Sequence, residues 1–235
     1  MRTTSKLQED WEKLGDKNAF WAVLSDKKNW NEAEFFATGR KEIANVLKVL
    51  KKNKIELDYS LAVDFGSGLG RLSQALGKHF KKVVGVDIAG SMITQANKLN
   101  KLKNVKFQHI TTGNLKSFKE KSVSFIFTDI VFQHMSNNHT RRYLKDMYAM
   151  LKPGGVLVFQ LPSRPRLTWK GILIFALPDA LLTKLRKGME MNPIPKEDVL
   201  KHLNKVGFEV ITVESDPNHK HWDAYFYYVQ KPRKA

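Results

Sequence analysis

Residues 63–71 read Val-Asp-Phe-Gly-Ser-Gly-Leu-Gly-Arg, an apolar run followed by three glycines that alternate with other residues. Glycine reaches backbone angles that other residues avoid, and without a Cβ it lets a ligand approach the main chain. A helix starting near Gly70 adds unpaired N–H groups and a partial positive charge. A second apolar run ends in Asp87, 17 residues beyond Gly70. A carboxylate there can accept hydrogen bonds from both hydroxyls of a ribose. Arg71 stands where a dinucleotide-binding turn has its last glycine, and no Gly-Lys-Ser/Thr follows, so the P-loop reading fails. A tight turn without a ligand is the structural alternative.

The elements that must hold these residues alternate. β-like runs fall at 61–65, 82–87, 105–110, 124–129 and 156–161, with helical stretches near 70–80, 91–101, 137–151 and 196–205. Alternation of this kind predicts a mostly parallel sheet with helices on both faces. Two further runs, 208–215 and 224–231, are joined by a short polar loop without a helix and must pair antiparallel. Ahead of the sheet, residues 4–25 and 33–53 carry apolar positions at helical spacing. Residues 163–195 interrupt the alternation with an apolar, basic, proline-bounded insertion.

The bulk composition narrows the classes. With 235 residues and 42% hydrophobic content, the chain suits one large α/β domain with helical additions. The absence of cysteine excludes disulfides, thiolate metal sites and cysteine nucleophiles, and fits a reducing compartment. The first 20 residues lack an apolar signal core, and no apolar run approaches the roughly 20 residues of a spanning helix. The expectation is therefore a soluble, cytoplasmic protein. Forty Lys and Arg against 23 Asp and Glu give a net charge of +17, spread along the chain without a long basic block. Such a surface attracts nucleic acid, anionic lipid or an acidic small substrate, or is simply that of a basic enzyme.

From about residue 60 onward the chain resembles the class I S-adenosylmethionine-dependent methyltransferases of the small-molecule type. The resemblance rests on VDFGSGLGR, VVGVD, ITTGNL, SFIFTDIVFQH and YLKDMYAMLKPGGVLVFQLP, in that order. It implies a Rossmann-like, seven-stranded, mostly parallel sheet of order 3-2-1-4-5-7-6 with the last strand antiparallel. In that reading residues 1–55 are an N-terminal helical extension or cap, and 56–235 the methyltransferase domain with a lid-like insertion at 163–195. The implied cofactor is S-adenosyl-L-methionine, with S-adenosyl-L-homocysteine as product. Asp64 would orient the glycine loop near the methionine amino group. Gly66, Ser67, Gly68, Gly70 and Arg71 would wrap the methionine and ribose, Asp87 would bind the ribose hydroxyls, and Ile88 would lie against the adenine. Gly113, Asn114 and Leu115 would edge the adenine, with Asn114 where the family commonly has aspartate. Thr128 and Asp129 would face the methyl-bearing sulfonium; a turn or helix-capping role is the alternative for Asp129.

Methyl transfer from a sulfonium is an in-line displacement, so the protein mainly aligns the acceptor and excludes water. A base helps only where the acceptor must lose a proton. His134 is the first candidate, with Asp129 beside it and His139 more distant; His109 lies within a strand and reads as structural. Without cysteine, the covalent route to cytosine-carbon methylation is closed. The loop after the fourth strand also lacks the Asn/Asp-Pro-Pro-aromatic sequence used on nucleobase amines. Phe36, Arg40, Gln133 and Trp169 are candidate substrate contacts. The expected reaction is O- or N-methylation of a small or medium-sized acceptor, anionic or apolar. RNA methylation on the basic surface, an anionic membrane surface, and non-catalytic binding of cofactor or nucleic acid are the alternatives. No metal site is assigned.

Overall fold

The computed structural model describes residues 4–25, 27–111, 115, 117–166, 191–219 and 221–233. Its first two helices are α1 (Thr4–Val23) and α2 (Glu32–Lys52). The alternating part runs β1 (Leu61–Phe65), α3 (Arg71–Leu76), β2 (Lys82–Asp87), α4 (Gly90–Leu99), β3 (Val105–His109) and β4 (Val123–Thr128). A short 3₁₀ turn (Phe132–His134), α5 (Asn137–Met150), β5 (Leu151–Pro165), α6 (Lys196–Val206), β6 (Glu209–Ser215) and β7 (Trp222–Gln230) complete it. Most of the insertion, residues 167–190 with Trp169, lies outside the described residues.

The seven strands form one sheet in the order β3-β2-β1-β4-β5-β7-β6. β7 runs antiparallel to both β5 and β6, and the remaining pairs are parallel. All six residues of β4 are buried, as expected for a central strand covered on both faces. Ile126 points into the layer that holds Tyr143, Leu144 and Met147 of α5 and Leu203 of α6. Phe125 and Phe127 point the other way, into the layer with Ile43, Val46 and Leu50 of α2 and Leu72 and Leu76 of α3. A third cluster joins Ala19 and Ala22 of α1, Phe35 and Phe36 of α2, and Met92 of α4. Among the described residues no helix is long and apolar enough to cross a membrane.

α2 is well specified by its ends. The Asn31 side chain accepts the Ala33 amide at 2.8 Å, Glu32 and Glu34 sit in the first turn, and Lys51 and Lys52 in the last, matching the helix dipole at both ends. Its close approach to α3 depends on Gly39. A Cβ there would stand 2.3 Å from the Arg71 carbonyl oxygen, a backbone atom that cannot turn aside. Gly39→Ala is expected to cost about 1–3 kcal/mol of stability, although alanine favours a helix. Urea unfolding checks this; a variant as stable as the parent would show that α2 and α3 part without loss.

Candidate active site

The carboxyl ends of β1, β2 and β4 meet at one cavity of about 180 Å³. Open parallel sheets bind ligands at that edge, where strand order reverses. After β1 the chain turns through Gly66, Gly68 and Gly70, all with positive φ (76°, 49° and 82°). The turn is pinned from β2: the Gly66 and Ser67 amides donate to the Val86 carbonyl at 2.8 and 2.9 Å. All three glycines are also required by close approach, Gly70 by the Phe107 ring, 2.4 Å from where its Cβ would be. A Cβ on Gly66 would lie 2.2 Å from Val131, and one on Gly68 would lie 2.6 Å from Val23 of α1. Ser67 is buried, and its hydroxyl has no hydrogen-bond partner.

Asp87 lines the cavity from the end of β2. One carboxylate oxygen accepts the Gly68 amide at 2.8 Å and the other the Ala89 amide at 2.9 Å. Burial pushes its pKa up, and these amides pull part of the way back. Each oxygen keeps a second lone pair for a ligand hydroxyl. Ile88 and Ile110 add apolar lining beside it.

Arg71 sits in the first turn of α3 with its side chain 4% exposed. It donates to Glu42 of α2 at 2.7 Å and to Asp129 at 2.8 Å. Burial, and then the negative charge of Glu42, hold the Asp129 carboxyl well above its usual range, against the pull of Arg71. Asp129 directly follows β4, and the next residue, Ile130, has φ +58°. A left-handed β-branched residue is a costly conformation, and such strain gathers at functional sites. Here it folds the chain back so that Val131 covers Gly66 and the 3₁₀ turn brings His134 to the cavity wall. His134 is 7% exposed; its backbone amide donates to Val131, and its Nε2 lies 3.1 Å from Gln133 Nε2. The Trp11 ring of α1 meets the His134 ring edge-on, centroids 5.2 Å apart.

The sequence expectations therefore divide. Gly66, Ser67, Gly68, Arg71, Asp87, Ile88, Asp129 and His134 all line the one cavity. Asp64 does not: it is wholly buried beneath the turn and accepts the Ser73 hydroxyl at 2.5 Å. Gly70 caps α3, with the Phe107 ring where its Cβ would be. Thr128 and Leu115 are buried and do not line the cavity. Gly113 and Asn114 lie outside the described residues. Of the substrate candidates, Phe36 packs against Phe35 among α1, α2 and α4, Arg40 is exposed, and Gln133 is buried against His134. His109 is held at 2.9 Å from the Ile88 carbonyl, in keeping with a structural role.

Leu7 and Trp11 in α1, and Asn192 near the end of the insertion, carry no pattern that marks a site, yet all three line the cavity. Glu42 was likewise hidden within an ordinary amphipathic helix. His139, the more distant base candidate, also reaches the wall, as does Tyr143 one turn further along α5; their spacing on that helical stretch was the available signal for Tyr143.

Residues 63–159 match the family model described as a methyltransferase domain. Phosphoethanolamine N-methyltransferase 3 of Arabidopsis thaliana is 28% identical over 107 residues, 44% of this chain and 22% of that protein. A ribosomal protein L11 methyltransferase of Campylobacter concisus is 33% identical over 175 residues, 65% of this chain and 58% of that protein. The chain thus spans from about a fifth to somewhat over half of the curated relatives it matches. Among solved structures, magnesium protoporphyrin IX methyltransferase from Synechocystis PCC 6803, with bound SAH, has a TM-score of 0.69 at 15% identity, covering 97% of this chain and 100% of that one. That likeness is one of fold.

Burial pushes the Asp64 pKa from 3.8 up to about 7. Between those values the folded protein holds a proton that the unfolded chain has released, so stability falls as pH rises through the window. Asp64→Asn removes that proton exchange. Denaturant unfolding at about pH 5 and pH 8 is expected to show the variant gaining on the parent at the higher pH. A difference that stays constant with pH would mean Asp64 ionises alike in both states.

Proposed function

We propose that this chain carries a class I S-adenosylmethionine-dependent methyltransferase domain and moves a methyl group from that cofactor to an oxygen or nitrogen of a small or medium-sized acceptor, a reading supported by the match of residues 63–159 to a methyltransferase domain. The observation that carries the reading is the meeting of the Gly66–Ser67–Gly68 turn, Asp87, Asp129 and His134 at one cavity on the carboxyl edge of the sheet. The residues present fit the cofactor. Asp87 has acceptor capacity left for two ribose hydroxyls, and the buried, unpartnered Ser67 hydroxyl is a polar atom that a bound ligand would satisfy. Ile88 and Ile110 offer an apolar bed beside Asp87 for a base.

When bound, S-adenosylmethionine supplies the electrophilic methyl group. What the chain supplies is alignment, shielding from water and, for a hydroxyl or ammonium acceptor, a place for the proton. His134 is that place in this reading, with Trp11 and Met135 shielding it. Trp11, Met135 and Tyr143, set beside His134, His139 and Asn192, support an acceptor with an apolar part and one or two polar groups.

Calorimetric titration with S-adenosylhomocysteine, with NAD as control, tests the cofactor. Asp87→Ala should weaken the binding by about tenfold or more, because it removes the ribose partners and frees the Gly68 and Ala89 amides. Affinity equal to the parent's would displace the ribose from Asp87. Once an acceptor is found by transfer of labelled methyl groups, His134→Ala is expected to lower kcat by about 10²-fold or more while cofactor affinity holds. An unchanged kcat would leave the reaction without a histidine base.

A further inference from the structure

α1 consists of two helical pieces. Asn18 leaves the helical region at φ −162° and ψ 83°, and its side-chain oxygen accepts the Trp21 amide at 3.1 Å. It therefore ends the first piece and caps the second. The second piece is anchored by apolar contact. Ala19 and Ala22 are buried, Phe20 meets Phe35 of α2 edge-on at 4.8 Å, and Val23 occupies the space over Gly68.

The first piece packs only partly buried Trp11 and Leu14 against the same cluster and adds a polar attachment. The two oxygens of Glu12 accept the Gly90 and Ser91 amides at 2.6 and 2.9 Å. These are the first amides of α4, which otherwise lack partners at the positive end of the helix. Ala89, at the cap position, makes no side-chain bond of its own, so Glu12 caps α4 from another helix. Burial pushes the Glu12 carboxyl up, but the hydrogen bonds from Ser91 and Gly90 outweigh it and leave the group below its ordinary value. One turn on, Gly15 lies against Ser91 and accepts the Gln95 side-chain amide at 3.1 Å. The neighbouring face of the same piece carries Leu7 and Trp11 into the cavity. With α1 seated, the space left is about 180 Å³, below the roughly 300–1,000 Å³ of most small-molecule clefts.

We propose that residues 4–17 form a lid over the cofactor cavity, hinged at Asn18, and that Glu12 is the latch that holds it shut on the first turn of α4. The proposal rests on the cofactor reading above. Glu12 and its two amides exchange each other for water at a modest net cost, and Trp11 and Leu14 are only partly buried, whereas Ala19 and Ala22 of the second piece are buried and lose that burial on opening. The first piece therefore opens while the second stays. Glu12 is a positioning residue: opening admits and releases the cofactor, and closing carries Trp11 back onto His134, so one movement governs cofactor exchange and the acceptor wall together.

The test is stopped-flow release of S-adenosylhomocysteine from the full chain, with hydrogen exchange as a second readout. Glu12→Ala should release the ligand about tenfold faster or more. Glu12→Gln should fall between that variant and the parent, because its one carbonyl oxygen retains one of the two acceptors. Amides of residues 4–17 should exchange faster in Glu12→Ala while those of β1 and β4 keep their protection. Gly15→Ala is an independent variant. Its Cβ would lie 2.6 Å from the Ser91 hydroxyl, so it should also speed release although alanine favours the helix. Parent-like release from all three variants would overturn the latch alone. Faster release with exchange spreading through the sheet would also overturn it, since Glu12 would then hold the fold and not the lid. A parent that binds no S-adenosylhomocysteine would overturn the cofactor reading and the lid's role with it.

Discussion

The buried guanidinium of Arg71 is the constraint around which the site is arranged. A charge taken out of water is tolerated only when paired, and this one is paired twice, with Glu42 from α2 and Asp129 beyond β4. The pairing fixes α2 against α3, which in turn demands a residue without a Cβ at Gly39. It also fixes where the chain leaves β4, and so where Ile130 must bend. Two carboxyls share one cation, and burial, with Glu42 alongside, leaves Asp129 a raised affinity for its proton despite Arg71. A residue that the sequence places in the glycine turn thus sets the relation between the N-terminal helices, the turn and the far wall of the cavity.

Much of the fold was legible because it rests on local periodicity. β1 and β2 occupy 61–65 and 82–87 as their apolar runs indicate, and the last two strands pair antiparallel because no crossover separates them. β5 is longer than its apolar run. Lys-Pro-Gly-Gly reads as a turn, yet Leu151 pairs with Val123, and the Gly154 amide donates to the Lys231 carbonyl at 2.9 Å. Partners distant in sequence override the local signal there. The break in α1 was hidden for a similar reason, since asparagine at 18 is an unremarkable helix residue until its side chain turns to cap Trp21.

The site was legible wherever glycine or a strand-end carboxylate marked it, at Gly66, Gly68, Asp87 and Asp129. It was illegible where ordinary residues acquire a role through docking. Glu12, Trp11 and Asn192 carry no pattern of their own. Phe36 shows the converse. An aromatic before a glycine looked like a substrate contact, but at helical spacing beside Phe35 it belongs to the packing between α1, α2 and α4. Arg40, on the exposed face of the same helix, follows from the same geometry.

The seating of α1 on α4 bears on the order in which the protein assembles. Glu12 and its amide partners are 78 and 79 residues apart along the chain, and Trp11 rests on a loop that begins after β4. During synthesis residues 4–17 leave the ribosome long before the surface they cover exists, and contacts of such separation form slowly. The sheet edge is therefore made first and closed last, and a nascent chain exposes Leu7, Trp11 and the bare first turn of α4 until β4 and its following loop are in place.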